Sequence, residues 1–489
     1  MGAPGPRYQN FIAGEWRDPR AGELLEDRNP ANPGDLIGLF PRSDAADVAD
    51  AVAAAQTAQP AWSALSPLKR AEALTRAAAL LESRLDALAA EFTREEGKTR
   101  REARGETARG VAILRYFAGQ ASEAVGEVYA AGNPATLLYT VTAPLGPVGL
   151  ITPWNFPVAI PLWKLAPALL YGNTVVLKPA EATPLMAVRL AEIFAEAGLP
   201  RGVLNVVLGD GPGAGAAVVA SAGLAGLSFT GSLAVGRRIQ AAATQRGARV
   251  QVEMGGKNAV VVMADADLDQ AAAQTVAGAM LSTGQKCTAT SRVIVDRRVL
   301  DELTARVCER ARALVVGDGL ADDTQVGPLI SAAARERVLE HVRLAQADGA
   351  EVLVGGAAPR GPAYRGGYFV EPTVLGRVRP AMRVAQEEIF GPVLGIIPAD
   401  GYDEAVAIAN GVRFGLSAAI FTRHTGTALR FVRDAQVGLV HVNGETAGAE
   451  AHVPFGGMKD SSSFSREQGK AAAGFFTQIK TVYFEPPAT

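Results

Sequence analysis

The chain has 489 residues, 48% of them hydrophobic, and its 48 Lys and Arg residues nearly balance its 50 Asp and Glu residues. A chain of this length has room for roughly three domains of about 150 residues each. The formal charge of −2 excludes a general electrostatic field that would gather nucleic acid or an anionic membrane surface. We therefore expect neither as a partner.

The termini and the cysteines indicate the compartment. Residues 1–10 lack a basic segment followed by an apolar run, and no stretch reaches the roughly 18 apolar residues of a membrane span. Cys287 and Cys308 are too few for a disulfide framework in a chain of this length. We expect a cytoplasmic protein whose thiols stay reduced. Cys308 stands in a predicted amphipathic helix, where a small core residue is the expected role.

The first third of the chain predicts a hairpin followed by helices. Residues 8–17 alternate around Gly14 as a short β-hairpin does. From Ala45 to about Gly119 the Ala, Leu, Glu and Arg residues recur at helical spacing, with breaks near Pro60, Pro67 and Gly97. About three helices are predicted there, covering a sheet.

After residue 135, β-branched runs alternate with helical segments. The first such block has strands at 148–152, 174–178 and 203–208, with helices at 158–171 and 184–197 between them. The second block has strands at 258–263, 292–295, 352–354 and 393–397. This alternation predicts an α/β fold with two doubly wound parallel sheets, divided near residues 253–257.

Two glycine-containing turns are candidates for binding phosphate. Residues 209–215 follow a strand, but their glycines are spaced two apart, which departs from the dinucleotide fingerprint. Residues 229–232 also follow a strand, and Gly231 and Ser232 open a predicted helix whose N-terminus could hold pyrophosphate. A capped helix with nothing bound explains this second turn equally well.

Polar residues also follow the strands of the first block. Lys178 and Glu181 stand at a strand end, where they would suit a ribose or form a surface ion pair. Asn155 lies between aromatic and proline residues in 153–157, where its amide could donate to a developing alkoxide or cap the next helix. Cys287, in the segment Gly284-Gln-Lys-Cys-Thr288, is a candidate nucleophile, and Glu253 could take a proton from water.

Six ordered motifs make the chain resemble the NAD(P)-dependent aldehyde dehydrogenase superfamily over nearly its whole length. They are Pro153-Trp-Asn-Phe-Pro157, Phe229-Thr-Gly-Ser232, Glu253-Met-Gly-Gly-Lys257, Gly284-Gln-Lys-Cys287, Glu387-Glu-Ile-Phe-Gly-Pro-Val393 and Pro454-Phe-Gly-Gly457. The resemblance implies that Cys287 forms a thiohemiacetal and then a thioester. It also implies that Asn155 and the Cys287 backbone N–H stabilise the oxyanion, and that Glu253 activates the hydrolytic water.

The resemblance also implies a nicotinamide cofactor, NAD or NADP, and no metal site. The cofactor-binding positions that match are Ile151, Trp154, Lys178, Glu181, Gly211, Gly231, Ser232, Met254, Glu388 and Phe390. Lys178 and Glu388 would hold ribose hydroxyls. Because the Glu181 carboxylate would accept from a free 2′-hydroxyl and repel a 2′-phosphate, a mild preference for NAD is expected.

The superfamily architecture divides the chain into three parts. Residues 1–121 and 145–253 would form the cofactor domain, and 254–455 the catalytic domain. Residues 122–144 and 456–489 would form a β oligomerisation arm with a C-terminal strand, which predicts a homodimer or homotetramer.

The C-terminal stretch 454–469 resembles the α-ketoglutaric semialdehyde (2,5-dioxopentanoate) dehydrogenase subgroup. An anionic aldehyde of this kind requires a cation, and Lys286 is the candidate, although related sequences often carry arginine there. A solvated or ion-paired loop lysine is an equal alternative. Phe464 stands where the resemblance predicts histidine. Phe156, Trp163 and Phe455 match aromatic positions of the substrate tunnel, or else belong to the ordinary core.

Three alternatives stay open from the sequence. The enzyme could be a broad-specificity aliphatic or semialdehyde dehydrogenase. It could be a CoA-acylating dehydrogenase, against which the presence of Glu253 argues. The chain could also be a non-catalytic structural or binding protein with the same fold, because a fold does not imply an activity.

Overall fold

The computed structural model describes residues 5–485 and residue 487. The strands in chain order are β1 (Asn10–Ile12), β2 (Glu15–Arg17), β3 (Leu24–Arg28), β4 (Leu36–Pro41), β5 (Val128–Tyr129), β6 (Leu137–Pro144), β7 (Val148–Ile151), β8 (Val175–Lys178), β9 (Leu204–Val206), β10 (Gly226–Thr230), β11 (Arg249–Glu253), β12 (Asn258–Val262), β13 (Thr290–Asp296), β14 (Glu351–Val354), β15 (Thr373–Gly376), β16 (Val393–Ala399), β17 (Phe414–Gly415), β18 (Ser417–Phe421), β19 (Leu439–Val442), β20 (Met458–Lys459) and β21 (Thr477–Phe484).

The α-helices in chain order are α1 (Ala45–Ala64), α2 (Pro67–Ser83), α3 (Leu85–Glu96), α4 (Arg100–Gly119), α5 (Ala159–Leu170), α6 (Pro184–Glu196), α7 (Ala216–Ala220), α8 (Leu233–Gln245), α9 (Leu268–Met280), α10 (Leu300–Arg312), α11 (Ala332–Ala347), α12 (Arg383–Gln386), α13 (Gly401–Asn410), α14 (Thr425–Asp434) and α15 (Ala473–Phe476). Among the described residues, no helix combines the length and apolar composition needed to cross a bilayer.

The first large sheet has the strand order β11-β10-β7-β8-β9-β1-β2. Strands β7 to β11 run parallel, and the hairpin β1–β2 adds antiparallel strands at one edge. The chain passes from β9 back across the sheet to β10, so the strand order reverses between β7 and β10. The carboxyl ends of strands at such a reversal form the usual ligand crevice of an open α/β sheet.

The second large sheet has the order β14-β15-β16-β13-β12-β18-β19, in which only β14 is antiparallel to its neighbour. The two doubly wound α/β halves that the sequence predicts are therefore confirmed. The sheets are mixed at their edges, which the alternation of strands and helices could not reveal. Strand β11 ends at Glu253 and β12 begins at Asn258, so the link between the sheets carries the Glu253 motif. The proposed domain limits remain a prediction, and their outermost residues, 1–4, 486, 488 and 489, lie outside the described part.

The helical layer of the first half has four long helices where the sequence predicts about three. Pro60 does not end α1, which continues for four further residues to Ala64. The unpredicted division lies between α2 and α3 at Arg84, whose φ of −107° and ψ of 9° leave the helical range. Because neither glycine nor proline marks this position, the sequence pattern could not reveal it.

Helix α5 is buried along its whole length. It carries apolar residues on every side, as expected of a helix enclosed by other elements. Its contact with α4 brings one face of α4 towards the loops that carry the candidate site. The site therefore lies between α4, the carboxyl ends of the first sheet and the link to the second.

Candidate active site

Cys287 lies in a loop between a short helical turn at 281–284 and β13, and hydrogen bonds hold this loop in place. Asn258 Nδ2 donates to the carbonyl oxygens of Cys287, at 2.8 Å, and Ala289, at 2.9 Å. Gly284 has a φ of +65°, and a Cβ built there would lie 2.3 Å from the carbonyl oxygen of Gly391. The two residues before it also have φ near +53° and +54°. The loop thus holds backbone strain of the kind that accompanies functional sites.

Asn155 lies beside this loop, at the carboxyl end of β7. Its Nδ2 donates to the carbonyl oxygen of Gln285 at 2.9 Å, two residues before Cys287. Its own carbonyl oxygen accepts from Lys98 Nζ at 2.8 Å. Since a side-chain amide has two N–H bonds, one remains to donate to a ligand.

The Lys98–Glu106 pair supports this arrangement, and the sequence analysis missed it. Lys98 Nζ lies 2.8 Å from Glu106 Oε2, and both side chains are almost fully buried. Glu106 Oε1 accepts from the backbone N–H groups of Val158 and Ala159, each at 3.0 Å. Burial lowers the pKa of Lys98, but the charges of Glu106 and Glu96 outweigh it and raise the pKa overall. The pair anchors the backbone at Asn155 and at the two residues Val158 and Ala159 that follow it.

Glu253 is 1% exposed. Its Oε2 accepts from the Ser462 hydroxyl at 2.5 Å, and its Oε1 has no hydrogen-bond partner among the described residues. Burial, followed by the charge of Glu467, raises the pKa of Glu253 well above that of an exposed carboxyl, while the Ser462 hydrogen bond lowers it. A buried carboxyl with one unused oxygen is suited to take a proton.

Burial also raises the pKa of the Cys287 thiol, to about 12, and the charges of Glu388 and Glu253 act in the same direction. Two negative charges in one buried region disfavour each other. The thiol is therefore protonated in this arrangement, and its proton must pass to another group when the sulfur attacks.

A buried polar cluster lies behind Glu253. Lys164 Nζ donates to Glu467 Oε1 and, at 2.7 Å, to the Ser228 hydroxyl. The backbone of Glu467 pairs with that of Phe455 at 2.7 Å in both directions. The Phe455 and Trp163 rings lie 5.3 Å apart between centroids. This cluster connects the C-terminal loop to α5.

The crevice where the first sheet reverses contains unsatisfied polar groups that fit a bound cofactor. Ile151 ends β7 and Thr230 ends β10, and these strands are neighbours in register. The hydroxyls of Thr152 and Thr230 are buried and have no hydrogen-bond partner among the described residues. A polar ligand in this crevice would satisfy them.

Four predicted cofactor residues surround the crevice. Lys178 ends β8, and its Nζ lies 3.1 Å from Glu181 Oε2. Gly231 and Ser232 connect β10 to α8, and Ser232 is the N-cap residue of α8 but its side chain makes no capping hydrogen bond. The unused hydroxyl and the helix N-terminus together suit a phosphate group.

Glu388 and Phe390 lie on the side of the second sheet, and Phe390 contacts Trp154, which follows β7 of the first sheet. Glu388 Oε1 accepts from the Gly256 N–H at 3.2 Å, and burial raises the pKa of Glu388 to about 7. A Cβ built on Gly255 would lie 2.0 Å from Glu388 Oε2, so this position requires glycine. Phe390 has a φ of +60°, and its ring meets Trp154 edge-on at 5.5 Å between centroids.

The two remaining predicted cofactor residues are Gly211 and Met254. Gly211 is exposed and begins a helical turn at 211–215, where the Asp210 side chain accepts from the Gly213 N–H at 2.7 Å. Met254 is buried, and its Sδ would lie 2.6 Å from a Cβ built on Gly236 of α8. Met254 thus packs against the beginning of α8. Gly211 makes no contact that identifies its role.

Cys287 opens onto a cavity of about 310 Å³. Three of the predicted substrate residues, Phe156, Trp163 and Lys286, line it, whereas Phe455 is reached only through its contact with Trp163. The sequence analysis missed the charged residues of this wall, which are Lys98, Glu102, Glu106, Arg109 and Glu445. The spacing of Glu102, Glu106 and Arg109 would have placed them on one helix face, but only the fold shows what that face meets.

Taken together, the geometry suits nucleophilic attack on a small carbonyl compound. The partly buried thiol opens onto a charged cavity, and the Asn155 amide donates to the loop that carries it. The Glu253 carboxyl, with one free oxygen, is close enough for its charge to raise the pKa of the thiol. Among the described residues, no group of three or more His, Cys, Asp or Glu side chains could hold a metal ion.

Comparison with known proteins gives consistent matches. Residues 16–482 match the pattern that defines the aldehyde dehydrogenase family. The chain is 47% identical over 479 residues to the alpha-ketoglutaric semialdehyde dehydrogenase of Bacillus subtilis, with 98% of each chain covered. It is 46% identical to the alpha-ketoglutarate semialdehyde dehydrogenase of Haloferax volcanii, over 97% of this chain and 98% of the relative.

A solved structure gives the same result. The betaine aldehyde dehydrogenase of Staphylococcus aureus in complex with NAD+ superposes on this chain with a TM-score of 0.96 at 32% identity, covering 99% of this chain and 96% of that one. The matches confirm the resemblance that the six motifs indicate.

Proposed function

Since this chain belongs to the aldehyde dehydrogenase family, whose members oxidise aldehydes to carboxylic acids, we propose that its substrate is α-ketoglutaric semialdehyde or another short aldehyde with a distal carboxylate. The observation that carries this proposal is the cavity at Cys287, which three cationic side chains line together with the thiol. Lys98 is paired with Glu106, which leaves Lys286 and Arg109 as candidates to meet an anionic substrate. Two relatives named for this semialdehyde, at 47% and 46% identity, support it.

Cys287 is the proposed nucleophile. Its S–H proton passes to solvent water as the sulfur adds to the aldehyde carbon, and the oxyanion of the resulting thiohemiacetal accepts hydrogen bonds from the free N–H of Asn155 and the Cys287 backbone N–H. A nicotinamide cofactor, when bound, supplies the hydride acceptor that converts this adduct into a thioester on Cys287.

Glu253 is the proposed base for hydrolysis. Its unpaired Oε1 takes a proton from water while the water oxygen attacks the thioester carbon. The C–S bond then breaks, the acid leaves, and the Cys287 sulfur recovers a proton. A burial-raised pKa makes Glu253 a stronger base than an exposed carboxylate.

NAD is the proposed cofactor, in preference to NADP. Lys178 and Glu388 would hold ribose hydroxyls, Gly231 and Ser232 the pyrophosphate, and Ile151, Trp154, Gly211, Met254 and Phe390 the rest of the crevice. Glu181 lies beside Lys178, where its carboxylate would repel a 2′-phosphate. The NAD+ complex of the Staphylococcus aureus relative supports use of a nicotinamide cofactor.

A kcat/KM panel tests this function. NADH absorbance would be followed with α-ketoglutaric semialdehyde and with pentanal, an aldehyde of equal length without the carboxylate, each with NAD+ and NADP+. We expect the carboxylated aldehyde to be preferred at least about tenfold, as charge-assisted hydrogen bonds imply, and NAD+ to be preferred over NADP+.

Cys287→Ser is the control variant and should abolish NADH formation. Equal kcat/KM values for the two aldehydes would favour a broad-specificity enzyme instead. Acyl-CoA formation in an assay supplemented with CoA would contradict the role given to Glu253.

A further inference from the structure

Helix α4 turns a charged face towards the cavity at Cys287. Glu102, Glu106 and Arg109, which line this cavity, follow each other at helical spacing. The two acids are engaged: Glu102 Oε1 accepts from the Ser282 N–H at 2.6 Å, and Glu106 binds Lys98 at 2.8 Å. Arg109, the third residue of this face, has no such contact with the described residues.

Arg109 forms no ion pair and no side-chain hydrogen bond with any other described residue. Two neighbouring arginines of the same helix are paired: Arg104 lies 2.7 Å from Asp86, and Arg115 lies 2.5 Å from Glu82. Arg109 is nevertheless partly buried rather than extended into solvent. A guanidinium group that is partly desolvated and lacks a protein counter-ion favours an anionic ligand.

Arg109 lies where two cavities meet. It lines the cavity at Cys287 and also a second, outer cavity of about 750 Å³, whose wall includes Tyr116 and His452. With a rise of about 1.5 Å per residue, Arg109 lies about 4.5 Å further along α4 than Glu106. An aldehyde that enters from the outer cavity therefore passes Arg109 before it reaches the thiol.

Lys286 is the other candidate for binding the substrate carboxylate, but a negative charge, that of Glu445, acts on it. Lys286 lines the same cavity and is 9% exposed, and burial lowers its pKa. Glu445 lines the cavity as well. Its negative charge raises the pKa of Lys286 and so offsets part of the lowering by burial. A carboxylate close to Lys286 would thus also approach Glu445, which would repel it. Arg109, by contrast, lies within ion-pair distance of no acid in the described part of the chain.

We propose that Arg109 is the specificity-determining residue that binds the distal carboxylate of the substrate while the aldehyde carbon lies at Cys287. The planar guanidinium group can donate two parallel hydrogen bonds to a carboxylate, which fixes orientation as well as charge. Lys286 contributes positive charge nearer the thiol without making this contact. The inference rests on the proposed function, because it needs a carboxylated aldehyde.

The test compares Arg109→Ala, Arg109→Lys and Lys286→Gln in the intact enzyme. The readout is the ratio of kcat/KM for α-ketoglutaric semialdehyde to that for pentanal. Losing a charged hydrogen-bonded pair should lower this ratio about 10- to 100-fold in Arg109→Ala, mainly through KM for the carboxylated aldehyde. Arg109→Lys should recover part of the lost preference for the carboxylated aldehyde, since lysine keeps the positive charge but cannot donate two parallel hydrogen bonds.

Arg104→Ala is the matched control, because this arginine lies on the same helix but is exposed and paired with Asp86. An unchanged ratio in Arg109→Ala, or a larger loss in Lys286→Gln than in Arg109→Ala, would overturn the proposal. Failure of the proposed function would be seen separately, as a wild-type enzyme that does not prefer the carboxylated aldehyde.

Discussion

At the scale of single residues, the surroundings of the site favour the protonated forms of Cys287 and Glu253. Burial raises the pKa of both groups, and the charges of Glu388 and Glu253 raise that of Cys287 further. Ser462 is the contact of Glu253 that acts in the opposite direction through a hydrogen bond, and the sequence contained no pattern that identified it.

Ser462→Ala should shift the pH dependence of thioester hydrolysis. The hydrogen bond from Ser462 lowers the pKa of Glu253, so its removal raises that pKa, and the carboxylate needed as base forms only at higher pH. We expect the rising limb of acyl-enzyme hydrolysis to move to the alkaline side. Single-turnover hydrolysis rates measured across pH would show it.

Ser463→Ala is the control, because the Ser463 hydroxyl accepts from the Val252 N–H at 3.1 Å and makes no hydrogen bond to Glu253. A limb that stays in place in Ser462→Ala, or moves to lower pH, would contradict the role of Glu253.

At the scale of elements, the beginning of α4 positions the loop after β7. The Lys98–Glu106 pair joins α4 to the backbone around Asn155, and the residues concerned are about fifty positions apart in sequence. The pair is buried, so its loss on one side leaves an uncompensated charge. Stability and catalysis depend on the same contacts here.

Glu106→Gln should therefore reduce the free energy of unfolding by about 3–5 kcal/mol and lower kcat, because Lys98 loses its partner and Asn155 its fixed position. Urea denaturation and steady-state kinetics would measure both. The double variant Lys98→Met/Glu106→Leu should be less destabilised than the single one, since no unpaired charge remains.

The exposed pair Arg115–Glu82 offers a control: Glu82→Gln should cost at most about 1 kcal/mol. A loss in Glu106→Gln no larger than in this control would refute the anchoring role of the buried pair.

At the scale of the whole molecule, the small sheet β21-β6-β5 stands out from the two halves. Strand β21 pairs with β6 along its full length, and no described strand pairs with its other edge. The residues 479, 483 and 484 of this strand are exposed and apolar or aromatic. An open edge with such side chains is a surface for pairing with another chain, and on this ground we propose that the protein forms the homo-oligomer expected from the sequence.

The double variant Ile479→Lys/Tyr483→Lys should dissociate the oligomer, because these side chains lie on one face of β21 and charge there opposes association. Light scattering coupled to size-exclusion chromatography would show a smaller species than the wild type, with Arg104→Ala as a control on a distant surface. A wild-type protein that is already monomeric would contradict the proposal.

The sequence by itself determined much of the secondary structure and the family. β-branched runs predicted the parallel strands because such side chains suit buried strands, and the six motifs indicated the family. For Lys286 it left a substrate-binding role and that of an ordinary loop lysine equally open. These conclusions depend only on which residues are neighbours along the chain.

Tertiary structure alone decided what meets Cys287 across the cavity. Glu102 contacts the Cys287 loop across 180 positions, and Ser462 contacts Glu253 across 209. The sequence around Arg109 does not show whether this arginine is solvated or lines a cavity, because both kinds occur on helix faces. Only the packing of α4 on α5 brings that face to the cavity, and this packing depends on contacts between segments that are distant in sequence.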